Sequence, residues 1–182
     1  MRFDFAAPRY TPADSAPRTP LARCIRADAA PGARALVAAR RDLVDTDIAI
    51  RLLLPGDEAR ECVAAPLAAA LVQGSLGCAR VLLEYGADVR ASAFGYTSTV
   101  VFAAAHGIGE ILRELVARAP ELVGEALEVA VRRGRVGAVE VLLGMGEVDE
   151  GVWEVLSECR EGKEGEYEMI VQMVGRKLGK KI

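Results

Sequence analysis

The sequence predicts an all-α protein: a solenoid of about four to five stacked helix–turn–helix repeats, with short hairpin loops and irregular caps. Three observations predict it. A glycine followed eight residues later by an apolar pair occurs as Gly74 with Leu82–Leu83, Gly107 with Leu115–Val116 and Gly134 with Leu142–Leu143. Gly74 and Gly107 lie 33 residues apart, and self-similarity at a fixed period of this size is the mark of a repeat architecture. Finally, Ala, Leu and Val dominate while aromatic residues make up only 5%, which suits short, closely packed helices better than a sandwich or barrel. A stretch as short as "GSLGCARVLLEYGADVRA" (74–91) cannot bury its own apolar stripe, so it needs neighbouring copies to cover it.

Residues 1–18 are rich in proline, with Ser, Thr and Ala, and read as extended or disordered; Phe3, Phe5 and Tyr10 make them stickier than a plain linker. The first copy, 19–44, ends in "LVAARRDLV", which matches "LVARAPELV" at 115–123. Residues 45–64 read as an insertion, because Pro20 and Pro66 are 46 residues apart rather than 33. Within it "IAIRLLL" reads as extended, and "DEARECVA" as a lengthening of the next helix at its N-terminus. The second copy, 65–97, has Gly86 as a left-handed helix cap. The third, 98–124, ends at Pro120, which removes a donor and clashes inside a helix. The fourth, 125–149, follows a connection about six residues short, which predicts a tight turn. Residues 150–182 read as a C-terminal cap, with Trp153, Val155 and Leu156 covering the fourth copy and Met169, Ile170, Met173 and Val174 at helical spacing. No persistent sheet is expected beyond the hairpin tips.

These copies resemble the ankyrin repeat family. The resemblance lies in "TPL" at Thr19–Leu21, "APL" at Ala65–Leu67, the remnant "STV" at Ser98–Val100 and "GAD" at Gly86–Asp88. It is strongest in the second copy and degenerate at both ends. No copy keeps the histidine of the family's opening motif; Ala22, Ala68, Val101 and Glu128 stand there. The resemblance implies one repeat domain over 19–182 and a concave groove, bordered by the hairpin tips, that binds other proteins. Mapped copy by copy, the implied contact positions are Arg23 and Arg26, Val72 and Gln73, Phe102 and His106, and Arg132 and Arg133. The long hairpin "DVRASAFGYTS" projects Arg90, Phe94 and Tyr96 as the leading contact patch, the rival reading being that its rings fold back onto residues 45–62. Arg132 and Arg133 make one end positive, so the expected partner is a protein with an acidic and an apolar face.

Chemistry has little foothold. His106 is the sole histidine, and Ser98 and Thr99 are two helical turns from it. No nucleophile elbow, P-loop or dinucleotide fingerprint occurs. Cys24, Cys62, Cys78 and Cys159 form no CxxC pair, so they read as reduced structural thiols rather than metal ligands. No cofactor is implied. Net charge near −3 gives no general attraction to nucleic acid, and no apolar run approaches the length of a membrane span or a secretion signal. The basic end "RKLGKK" (176–181) reads as a solvated chain end, with an import signal or anionic contact as the alternative. The sequence therefore reads as a non-enzymatic adaptor or inhibitor of the cytoplasm or nucleus. The alternatives are an enzyme or small-ligand receptor around His106, and a structural or assembly subunit.

Overall fold

A computed structural model describes residues 19–53, 59–146, 151–159 and 164–179. Residues 1–18, read as extended or disordered, lie outside the described residues. The chain divides into two compact units, Met1–Phe94 and Gly95–Ile182. Each has its own core of helix hairpins.

In the first unit, α1 (Pro20–Arg26) and α2 (Ala30–Ala39) form one hairpin, and α3 (Pro66–Val72) and α4 (Leu76–Glu84) form the next. First helix packs on first helix, α1 on α3, and second on second, α2 on α4. Thr19 starts α1 by accepting the Ala22 N–H on its hydroxyl at 3.2 Å. The interior is aliphatic: Leu21, Ile25, Leu67 and Leu82 are fully buried, as the pair spacing requires.

The insertion departs from the all-helical expectation. β1 (Ile48–Leu53) confirms the extended reading of "IAIRLLL", but "AREC" does not lengthen α3. It belongs to β2 (Ala59–Ala64), paired antiparallel with β1 so that Ile48 faces Ala64 and Ile50 faces Cys62. The physical reason is Pro66. A proline disfavours helical backbone in the residue before it, and Ala65 sits at φ −56°, ψ 143°. The helix cannot grow backward through that residue. Ile48 and Ile50 are buried, and β1 lies against α1 and α3, while Val63 on β2 is 68% exposed.

The second unit holds three hairpins: α5 (Thr99–His106) with α6 (Gly109–Arg118), α7 (Val123–Arg132) with α8 (Val136–Leu143), and α9 (Gly151–Cys159) with α10 (Glu164–Lys177). Again like stacks on like: α5 on α7 on α9, and α6 on α8 on α10. Helix α6 stops at Arg118, and Pro120–Leu122 forms a single 3₁₀ turn leading straight into α7, the tight connection expected. Val155 and Leu156 are buried and α9 packs on α7; Trp153 is half-buried. In α10 Ile170 and Val174 are buried, Met173 is half-buried and Met169 is 53% exposed.

One backbone device joins the two helices of a hairpin. Gly74, Gly107 and Gly134 follow α3, α5 and α7 with φ of 70°, 69° and 67°, a left-handed conformation that glycine adopts without steric cost. Gly86, the predicted cap after α4, has φ 93°. In the first hairpin Asp28 takes the same place with φ 45°. Aspartate tolerates this region because its short side chain can hydrogen-bond locally. Here the carboxylate accepts the Cys78 N–H of α4 at 3.0 Å, which compensates the backbone cost.

A second device joins one hairpin to the next. The Ser75 hydroxyl donates to Ile25 O, Arg135 Nε donates to Ala105 O at 3.1 Å, and the Tyr167 hydroxyl lies 2.8 Å from Val131 O and 2.9 Å from Arg132 O. The last carbonyls of a helix have no intrahelical donor. In each case a side chain of a later hairpin supplies a donor, at Ile25 O and Val131 O in addition to the backbone N–H of Asp28 and Gly134.

Candidate interaction surface

The predicted contact residues of the second unit converge around His106. Tyr96 meets Phe102 edge-on with ring centroids 5.6 Å apart, and meets His106 at 5.8 Å. Phe102 and His106 are 4.5 Å apart. Thr97, next to Tyr96, donates its hydroxyl to Glu125 of α7 at 2.6 Å, which ties the entry to α5 onto the neighbouring hairpin.

Burial corrects one expectation. Phe102, expected to face a partner, is only 3% exposed and serves as the floor on which Tyr96 and His106 rest. Helix α5 is buried at every position from Thr99 to Ala105, so it offers no polar face to mark an outside. Tyr96 and His106 are half-buried and form the accessible part of the cluster.

The Tyr96 hydroxyl oxygen is buried without a hydrogen-bond partner among the described residues. A buried donor left unsatisfied costs about 1–3 kcal/mol. Tyr96→Phe removes the hydroxyl and keeps the ring, so urea denaturation should show a gain of about 1 kcal/mol. A loss of that size would mean that the hydroxyl finds an acceptor in solution.

His106 ends α5. Burial, followed by the positive charges of Arg135 and Arg133, lowers its pKa to about 4. The ring is therefore neutral at pH 7 in the folded protein, whereas the unfolded chain titrates near 6.5. A depressed folded value means that acid favours the unfolded state. The stabilisation is complete above pH 6.5 and is lost as pH falls toward 4. The ring is half-exposed, so solvent screening limits the loss to about 1–2 kcal/mol. Denaturation midpoints measured between pH 7 and pH 4.5 should show it, and His106→Gln should flatten the slope in that window. An equal slope in the variant would assign the effect to the carboxylates.

The basic residues separate into two kinds. Arg132 is held by Glu128 one turn earlier on α7 at 2.8 Å, so its charge is largely offset. Arg133 is half-buried at the end of α7 and acts on His106. Arg135 is the residue that sequence reasoning missed. It precedes α8 where Ser75 precedes α4 and Ile108 precedes α6, and a charged side chain at that position was the available signal.

In the first unit, Arg23 and Arg26 are exposed in the last turn of α1. Val72 and Gln73 are half-buried at the end of α3, and the Gln73 side-chain oxygen is buried without a partner among the described residues. The Arg90 side chain is exposed while its N–H binds the Asp88 carboxylate at 2.9 Å. Phe94 is half-buried with φ 49°, and Gly95 follows at 86°. Consecutive positive φ values are what the two central residues of a type I′ turn require. Glycine or asparagine fits there; phenylalanine is strained.

Burial, then the nearby Asp28 and Cys24, pushes the Cys78 thiol up to about 12, so it stays protonated and inert. Among the described residues no group of three or more His, Cys, Asp or Glu is placed to hold a metal ion. No described helix is long and apolar enough to cross a membrane. No protein-family model matches the chain, and no curated protein is detectably similar to it.

Proposed function

We propose that the chain is an ankyrin-type repeat protein that binds another protein without catalysing a reaction, as an adaptor or inhibitor in the cytoplasm or nucleus. The observation that carries this reading is Phe94, a bulky aromatic held at φ 49° on a hairpin tip where glycine would cost nothing. Strain of this kind is retained where a side chain is needed for contact. Further support comes from the like-on-like stacking of hairpins within each unit and the left-handed turn residues that recur between their helices. Tyr96 and His106 supply a half-buried aromatic surface, and aromatic residues with arginine are the usual anchors of interfaces. The partner carries an apolar segment for these rings and an acidic group for the arginines.

The test is affinity capture with the intact protein, followed by titration of the purified captured partner against wild type and Phe94→Ala/Tyr96→Ala. The paired variant should lose most of the affinity while remaining folded. Undiminished binding overturns the assigned surface. A turnover abolished by His106→Gln, in a protein still folded and still binding, overturns the non-enzymatic reading.

A further inference from the structure

We propose that residues 2–7 of this chain lie along the outer edge of β2 as a third strand, with Phe3 and Phe5 beside Val63. This contact goes beyond the aromatic surface around His106 and does not depend on it. Among the described residues the sheet holds two strands, so β2 has a strand neighbour on one side only. Ile48 and Ile50 are buried on the face where β1 meets α1 and α3. Val63 pairs with Ala49, one position out of step with them, and therefore stands on the opposite face. It is 68% exposed, and the side chain of Ala49 is too small to cover it. An apolar side chain on an edge strand invites pairing with another chain unless something covers the edge.

The sequence supplies a segment of the right kind. "RFDFAA" (2–7) alternates polar and apolar over Arg2, Phe3, Asp4 and Phe5, the period of a strand, and contains no proline. Its length matches the 6 residues of β2. Pro8, Pro12 and Pro17 follow, and proline cannot donate to a ladder, so the strand stops before Pro8. Phe3 and Phe5 fall on one face, and an aromatic ring next to a β-branched side chain is a favourable cross-strand neighbour.

The connection is long enough. Thr19 opens α1, the helix against which β1 lies. Residues 8–18 reach at most about 36 Å when extended. The whole of β2 spans about 20 Å. A segment tethered in this way acts at an effective concentration on the order of millimolar. A second copy of the chain would have to reach that concentration to compete, so the molecule's own segment takes the edge. Covered by it, β2 offers no template to another copy.

NMR of the full-length protein labelled with carbon-13 and nitrogen-15 tests the strand. The Phe3 and Phe5 rings should give nuclear Overhauser contacts to the Val63 methyls. Those contacts should be missing from filtered spectra of a labelled–unlabelled mixture, which report only contacts between chains. The β2 amides that point away from β1 should be protected from hydrogen exchange. Phe5→Pro removes a ladder donor and should speed their exchange about tenfold, with the amides of α4 unchanged. Phe3→Ser/Phe5→Ser keeps every N–H and should speed the same amides by a smaller factor. Neither position belongs to a described helix or strand, so protection in α4 reports the fold of each variant. Exchange of β2 unaffected by both variants, or ring contacts to some other surface in place of Val63, would overturn the third strand. Val63 contacts that persist in the filtered spectra would also overturn it and assign the edge to a second copy.

Discussion

Truncating Leu82 or Leu115 to alanine should cost about 2–5 kcal/mol of unfolding free energy. Both side chains are fully buried in the second helix of a hairpin, Leu82 in α4 and Leu115 in α6. Each sits eight residues after its turn glycine, on a helix that packs against the second helix of the adjoining hairpin, α2 for α4 and α8 for α6. Removing either leaves a cavity inside a helix–helix packing layer, and the cost rises with how little the site can collapse. The effect belongs at the upper part of the range where collapse is least possible. The two positions lie in different compact units, so chemical denaturation of the single variants should also show whether one transition or two is affected. Losses below about 1 kcal/mol at both positions would mean that the leucine register is wrong.

The second large effect concerns Phe94. Replacing it by glycine relieves a left-handed backbone that costs a side-chain-bearing residue about 1–2 kcal/mol. The same change deletes an aromatic anchor, for which interface truncation typically costs about 2 kcal/mol or more, near a thirtyfold loss of affinity. Stability and binding should therefore move in opposite directions. Thermal denaturation should show a melting temperature equal to or above wild type, while titration with the captured partner shows the weakened affinity. A fall in both would assign Phe94 to packing. A rise in stability with unchanged affinity would leave its strained conformation without a functional reason.

The repeat spacing was legible in the sequence because it is carried by chemically distinctive residues. Gly74, Gly107 and Gly134 mark the left-handed turn inside three hairpins, and the apolar pairs follow each at a constant offset of eight residues. Asp28 shows how the same geometry escapes notice when another residue fills it. The strand β2 was hidden because six residues give few alternations, and only the restriction that Pro66 places on Ala65 argues against helix. Phe102 was misjudged because α5 is apolar all round; a helix without a polar side gives periodicity nothing to detect. Arg135 drew no separate reading beside Arg132 and Arg133, yet the turn at Gly134 separates it from them and sends its side chain back to Ala105. Charge counting along a chain cannot register such a reversal. Like-on-like stacking within each unit agrees with a helical repeat.

The hydrogen bonds that close helix ends have a consequence for how such a chain can grow. Ser75, Arg135 and Tyr167 are unlike in size and charge, yet each supplies a proton to carbonyls at the end of an earlier helix. Donor and acceptor sit on different hairpins, the donor always on the later one. A hairpin such as α7–α8 accordingly brings both halves of a joint: Arg135 to engage its predecessor and Val131 O to receive its successor. Copying that segment of gene would copy a working connector at each end. The only local requirement on the connector is a proton donor of suitable reach. Descendant copies can then drift in side-chain identity while remaining attached, and their ancestry would persist in spacing long after it had faded from residue-by-residue likeness.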